Sequence, residues 1–238
     1  MSSTATATQP ARVDPYTDKT SIEFQFRVRR FAHVRRLIES AIAEKGRCDI
    51  LDLGGTEIYW LVGEDLIRKH RDRLHFTILN TEPQQIARRD LFSYVHASAT
   101  EPDLFADRTF DLVHSNSVVE HFSGWAEMEI FARNVRRLAP RYYIQTPNYW
   151  FPYEPHFRFP GFQYLPESVR VRLMMKRSLG FFQRIEDRAV AEDIVQHHRL
   201  LSTRDMRRLF PDAEILHEKF VMLNKSIIAL RDATEATH

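Results

Sequence analysis

The chain has 238 residues, 43% of them hydrophobic, which is enough length and apolar material for one domain of ordinary size with a real core. Lys and Arg number 34 against 32 Asp and Glu, so the net charge of +2 provides no strong field of the kind that marks nucleic-acid binders. The single cysteine, Cys48, excludes an internal disulfide and a multi-cysteine zinc site, and no run of ~18 apolar residues is available to span a membrane.

Residues 1–19 are polar, contain Pro10 and Pro15, and show no hydrophobic period, so they are expected to be flexible. They hold no apolar h-region of a secretory signal, and a cytoplasmic location is the expectation. Thr20, with Glu23 three residues on, offers a capping box for a first helix. Phe24, Val28, Phe31, Val34, Ile38 and Ile42 follow at helical spacing, and Gly46 ends the pattern. The arginines of this helix are expected on a solvated face.

A short buried strand over residues 49–53 then stops at Gly54-Gly55, and a helical pattern follows over 57–70. Strand, glycine turn and helix together let backbone approach a ligand closely, because glycine has no Cβ and the new helix presents free N–H groups. Further strands are predicted at 75–79, 92–96, 110–114 and 141–145, with a short helix at 84–89 and an amphipathic helix at 125–138 closed by Pro140. This alternation implies a parallel sheet with right-handed crossovers, with a ligand site beyond the carboxyl ends of the strands. Those ends are small or polar: Gly54-Gly55, Asn80-Thr81, Ser98, Ser115-Asn116 and Thr146-Asn148.

After Asn148 the alternation breaks. Eight aromatic residues lie between Tyr149 and Tyr164, among prolines, and helical stretches are expected over 167–178 and 182–200. Residues 149–200 are read as an inserted helical and aromatic cap over the strand ends. Ser202 caps a helix over 203–210, and two strands, 213–220 and 225–231, are joined by a turn near Leu223-Asn224. One domain over 20–231 results, with a frayed tail at 232–238.

The runs Leu51-Asp52-Leu53-Gly54-Gly55 and Phe110-Asp111-Leu112-Val113-His114-Ser115-Asn116-Ser117-Val118-Val119-Glu120-His121 carry a resemblance, as do Tyr143-Ile144-Gln145-Thr146-Pro147-Asn148 and the closing strand pair. The chain resembles the class I S-adenosylmethionine-dependent methyltransferases, in their small-molecule branch. The resemblance implies a Rossmann-like α/β fold, seven strands in a mostly parallel sheet with flanking helices and the last strand antiparallel. It also implies S-adenosylmethionine as cofactor. Gly54, Gly55 and Thr56 would then meet its methionine end, Asn80 with Thr81 its ribose, Ser98 and Ala99 its adenine, and Ser115 and Asn116 the pocket floor. Asp52 would brace the glycine loop or join the cofactor set.

The chain departs from the family pattern at three places. Thr56 and Glu57 stand where further glycines are usual, Asn80 where an acidic residue holds the ribose, and Ser98 where a carboxylate meets the adenine amine. An amide offers hydrogen bonds at Asn80 but no charge-assisted one.

The catalytic candidates are His121, Glu154 and His156. Glu120-His121 is common in the family whatever the substrate, so loop fixing stands beside a base role for His121. A histidine in the cap suits proton removal from a hydroxyl or amine, with a packed cap histidine as the alternative. His197-His198 with Glu154 form no short-spaced ligand set, and no metal is expected.

The aromatic segment suggests a closed apolar pocket for one small molecule; with the methyl transfer that the resemblance implies, the expected function is methylation of a small acceptor at a hydroxyl, amine or carboxylate. A small acceptor is preferred over nucleic acid, and no membrane partner is expected. Rival readings are a binding or scaffold protein with a degenerate pocket, an RNA or DNA methyltransferase, and, more distantly, a dinucleotide oxidoreductase. The cap would serve a homodimer as readily as a lid.

Overall fold

The computed structural model describes residues 20–106 and 109–233. The segments 1–19 and 234–238, expected to be flexible and frayed, lie outside the described residues.

Helix α1 (Ile22–Lys45) is capped by Ser21 rather than Thr20; the Ser21 hydroxyl accepts from the Phe24 N–H at 3.1 Å. Gly46 ends it in the left-handed region. Its buried stripe is Phe31, Val34, Leu37, Ile38, Ala41 and Ile42, whereas Val28 faces out. Two of its arginines are paired with acids: Arg30 with Glu218 at 3.0 Å and Arg35 with Asp65 at 2.8 Å.

Strands β1 (Cys48–Leu53), β2 (Leu74–Asn80), β3 (Phe92–His96), β4 (Leu112–Asn116) and β5 (Arg141–Pro147) run parallel. The last strand, β9 (Leu223–Arg231), pairs antiparallel with β5, and β8 (Glu214–Phe220) with β9. The order is β3-β2-β1-β4-β5-β9-β8, which is the seven-stranded, mostly parallel sheet expected. The winding reverses between β1 and β4, so the crevice for a ligand opens beyond Leu53 and Asn116.

Residues alternate between the sheet's two faces. Ile50, Phe76, Leu112 and Tyr143 pack under α1, the 3-10 segment Glu57–Gly63 and α2 (Glu64–Lys69). Leu51, Val113, Tyr142 and Ile144 pack under α3 (Trp125–Leu138) and α6 (Thr203–Leu209). Residues 153–196 have a core of their own, built from Phe157, Phe162, Val171, Met174, Leu179, Ala191 and Val195. It contains the two-stranded ribbon β6 (Tyr153–Glu154) and β7 (Phe159–Pro160), with helices α4 (Glu167–Lys176) and α5 (Arg188–Gln196).

Three sequence expectations are corrected. The helix at 57–70 divides into the 3-10 segment and α2. No helix forms at 84–89, because Glu57 captures the Ala87 N–H and the Arg88 guanidinium, each at 2.8 Å, and pins the segment irregularly. The β8–β9 turn sits at Val221-Met222, before Leu223. In addition Asp232, read as the start of a frayed tail, is buried and accepts from the Arg141 Nε at 3.0 Å.

Candidate functional site

The glycine turn has almost no spare room. Gly54 has φ of +71°, and a Cβ there would lie 2.5 Å from Val118 Cγ2. A Cβ on Gly55 would lie 1.8 Å from Asp52 Oδ2. Glycine is therefore required at Gly54 by backbone angle and close approach, and at Gly55 by close approach. Asp52 lies fully buried beneath the turn, with Oδ2 accepting from Trp60 Nε1 at 2.8 Å and Oδ1 2.7 Å from His114 Nδ1. His114 is in turn stacked on Tyr143 with ring centres 5.5 Å apart. Asp52 thus braces the loop from below. Trp60 and His114 were missed as members of this brace. Asp52 and His114 are direct partners in the β1–β4 register, but that pairing becomes visible only once the strand order is known. Thr56 stands at the start of the 3-10 segment without a side-chain cap bond.

Along the same edge lies a cavity of about 480 Å³, lined by Gly54, Asn80, Thr81, Ser98, Ala99 and Thr100, then by Ser117, Val118, His121 and Phe122. Its volume falls within the ~300–1,000 Å³ typical of small-molecule sites. The structure therefore brings together Gly54, Asn80, Thr81, Ser98 and Ala99 from the cofactor set and His121 from the catalytic set. Asp52, Gly55, Thr56, Ser115 and Asn116 do not line it. Asn80 has both ends of its amide engaged: Nδ2 donates to the Gly55 carbonyl at 3.0 Å and Oδ1 accepts from the Glu82 N–H at 2.9 Å. The Ser98 N–H donates to Glu101 Oε1 at 3.1 Å. Ser115 is buried, and its hydroxyl donates to the Leu53 carbonyl at 2.9 Å, a strand-to-strand tie rather than a pocket floor. Asn116 is half-buried at the end of β4, with its Oδ1 free of a hydrogen bond. Ser117, at φ of +58°, turns the chain out of the sheet and donates to Gln145 Oε1 at 3.1 Å.

At the Val118–His121 end of this cavity the inserted segment meets the sheet domain. The rings of His121, His156 and His198 form a triangle with centres 4.9, 4.8 and 5.0 Å apart. His156 Nδ1 donates to Glu154 Oε1 at 2.7 Å, and Glu154 Oε2 accepts from the Phe157 N–H at 2.6 Å. Glu120 is fully buried; its Oε2 accepts from the Thr146 hydroxyl at 3.0 Å and its Oε1 has no hydrogen-bond partner among the described residues.

Burial pushes the Glu120 carboxyl up to about 7, against the pull of His156. Burial, with the neighbouring His156 and His198, pushes His121 down to about 3. Burial also opposes charge on His156, but the Glu154 bond and the Glu154 and Glu120 charges outweigh it and hold that ring above the usual histidine value. His198 is lowered by burial. All three predicted catalytic residues therefore stand in one cluster. Glu120 and His198 join them, while the His197 side chain is 41% exposed and turns back to Asp193.

Residues 70–141 match a family model described as a methyltransferase domain. An uncharacterized protein of Mycobacterium tuberculosis is 33% identical over 78 residues, 33% of this chain and 26% of its own length. The chain thus spans about a quarter of that relative. Among solved structures, an O-methyltransferase family protein from Burkholderia thailandensis aligns at TM-score 0.47 and 13% identity, over 89% of this chain and 59% of its own. The N-methyltransferase NodS from Bradyrhizobium japonicum aligns at 0.44 and 10%, over 86% and 96%. A 1,6-didemethyltoxoflavin N1-methyltransferase from B. thailandensis, crystallised with bound 1,6-didemethyltoxoflavin and S-adenosylhomocysteine, aligns at 0.44 and 13%, over 84% and 79%. The family match and the sheet order bear out the resemblance to the class I methyltransferases.

Proposed function

We propose that this chain, which carries a methyltransferase domain on a class I sheet, transfers a methyl group from S-adenosylmethionine to a small-molecule acceptor. The observation that supports this reading is the cavity at the switch point, which runs from Ser98 and Asn80 past Gly54 to His121. The cofactor supplies an electrophilic methyl on a sulfonium, and the protein supplies alignment and water exclusion.

In this reading Gly54, on the cavity wall, accommodates the methionine end, with Gly55 and Thr56 behind it in the same turn, whose shape a Cβ at 54 or 55 would disturb by meeting Val118 or Asp52. Asn80 and Thr81 flank the ribose, and Ser98 and Ala99 the adenine. His121, with the Glu154–His156 pair behind it, faces the acceptor. His156 has one nitrogen fixed on Glu154 and packs edge-on against the His121 ring, with centres 4.9 Å apart.

Calorimetric titration of the full chain with S-adenosylmethionine and S-adenosylhomocysteine tests the proposal. Micromolar binding of either is expected; a folded sample that binds neither overturns it. A second reading, a methyltransferase fold that binds ligand without turnover, is favoured by one observation: both ends of the Asn80 amide are already bonded to protein. Cofactor binding without product across a broad acceptor screen would select it.

A further inference from the structure

We propose that Glu120, His121 and His156 form a binding site for a divalent transition-metal ion at the acceptor end of the cavity. One ligating atom from each lies within 4.8 Å of the others. Tetrahedral coordination at ~2.0–2.1 Å brings such atoms to about 3.3 Å apart, so a small inward movement of side chains closes the set.

Three independent features favour a cation there. Glu120 is fully buried with one carboxylate oxygen unpartnered among the described residues, a costly arrangement that a bound cation relieves. Two of the three ligands are held from behind: Glu154 accepts from His156 Nδ1 at 2.7 Å, which fixes the tautomer and frees the other ring nitrogen, and Thr146 holds the second oxygen of Glu120 at 3.0 Å. A carboxylate behind a ligating imidazole is the usual outer-shell support of metal sites. Lastly, His198 packs against both imidazoles, and its own Nδ1 donates to the Ile194 carbonyl at 2.7 Å. It shields the cluster from the cap side.

Two imidazoles and one carboxylate suit zinc, manganese or iron rather than calcium or magnesium, which take oxygen ligands. Three protein ligands leave a coordination position open, and His121 belongs both to the cluster and to the cavity wall. That position would take an oxygen of the acceptor and set it beside the methyl donor. This role rests on the methyl-transfer reading; the site itself does not.

The test is metal content and cobalt spectroscopy on the full, untagged chain. Dialysed wild type is expected to retain about one zinc per chain and to develop the visible bands of four- or five-coordinate cobalt on titration with Co²⁺. Glu154→Gln should weaken zinc binding by roughly 10- to 100-fold, and His156→Ala should abolish it. His197→Ala, at the exposed neighbour, should bind as wild type does. Wild type with neither retained zinc nor such bands overturns the proposal without need of any variant. So does a loss in His197→Ala equal to that in His156→Ala, which would mark surface histidine binding only. S-adenosylhomocysteine binding, measured in parallel on metal-free protein, separates the two readings. Its presence without metal uptake sinks the metal site alone, and metal uptake without it sinks the methyl-transfer reading alone.

Discussion

Asp52 sits in the core with both carboxylate oxygens engaged, by Trp60 and by His114, and the backbone of Gly55 presses on its other side. An acid at this depth survives because each oxygen has a partner. Asp52→Ala removes the acceptor of a buried indole N–H and a partner of a buried imidazole, and leaves a void under the turn. Each unsatisfied buried group costs about 1–3 kcal/mol, so a loss of about 3 kcal/mol in urea unfolding is expected. A loss below about 1 kcal/mol would show that the brace is not a major support. Asp52 was legible as a brace from its place beside two glycines. Its partners were not, because Trp60 reaches back from the 3-10 segment and His114 comes from a strand far along the chain.

At the scale of elements, the turn after β1 does most to position the cavity. Its shape depends on a left-handed Gly54 packed on Val118, which follows β4. Gly54→Ala meets a backbone penalty of roughly 1–2 kcal/mol and a clash with Val118. We expect S-adenosylhomocysteine affinity to fall by at least about tenfold, ~1.4 kcal/mol, with the far-ultraviolet dichroism retained. Unchanged affinity in a folded variant would remove the turn from the cofactor site. The boundaries of β3 and α3 agree with those read from hydrophobic period, since both are regular segments with one dominant packing face. The segment at 84–89 shows the opposite case. Its helical composition loses to Glu57, whose two bonds to Ala87 and Arg88 are tertiary.

For the whole molecule, the interior strand β5, the first helix and the end of the chain after β9 are locked together by Arg141. This guanidinium is fully buried in β5 and bonds Glu44 of α1 and Asp232 beyond β9; Asp232 also accepts from the Ser40 hydroxyl at 3.2 Å. One residue after the last strand thus ties three parts of the chain. Removing one partner of a buried pair costs about 3–5 kcal/mol, because the remaining charge stays buried. Asp232→Ala, with Glu44 still present, should lie near the lower end, about 3 kcal/mol by chemical denaturation. A melting curve indistinguishable from wild type would show the clamp to be unimportant.

The alternation of strands and helices, the glycine turn and the small strand-end residues were determined by the chain's local patterns, because hydrophobic period and turn chemistry are properties of short windows. The seven-stranded sheet with its last strand antiparallel followed from those patterns and the resemblance they carry, and it is what the fold shows. What only tertiary structure decided is which polar groups face open space and which face one another. Ser115 looked like a pocket residue, yet it ties β4 to β1, and Asn80 lines the cavity while its amide is spent on joining two loops. Glu120 and His121 follow β4, His156 comes from the turn between β6 and β7, and His198 follows α5, with no common spacing to link them. They meet because the inserted segment folds on its own core and delivers two histidines to the end of the sheet. Such convergence depends on packing between distant segments, which short-range pattern does not encode.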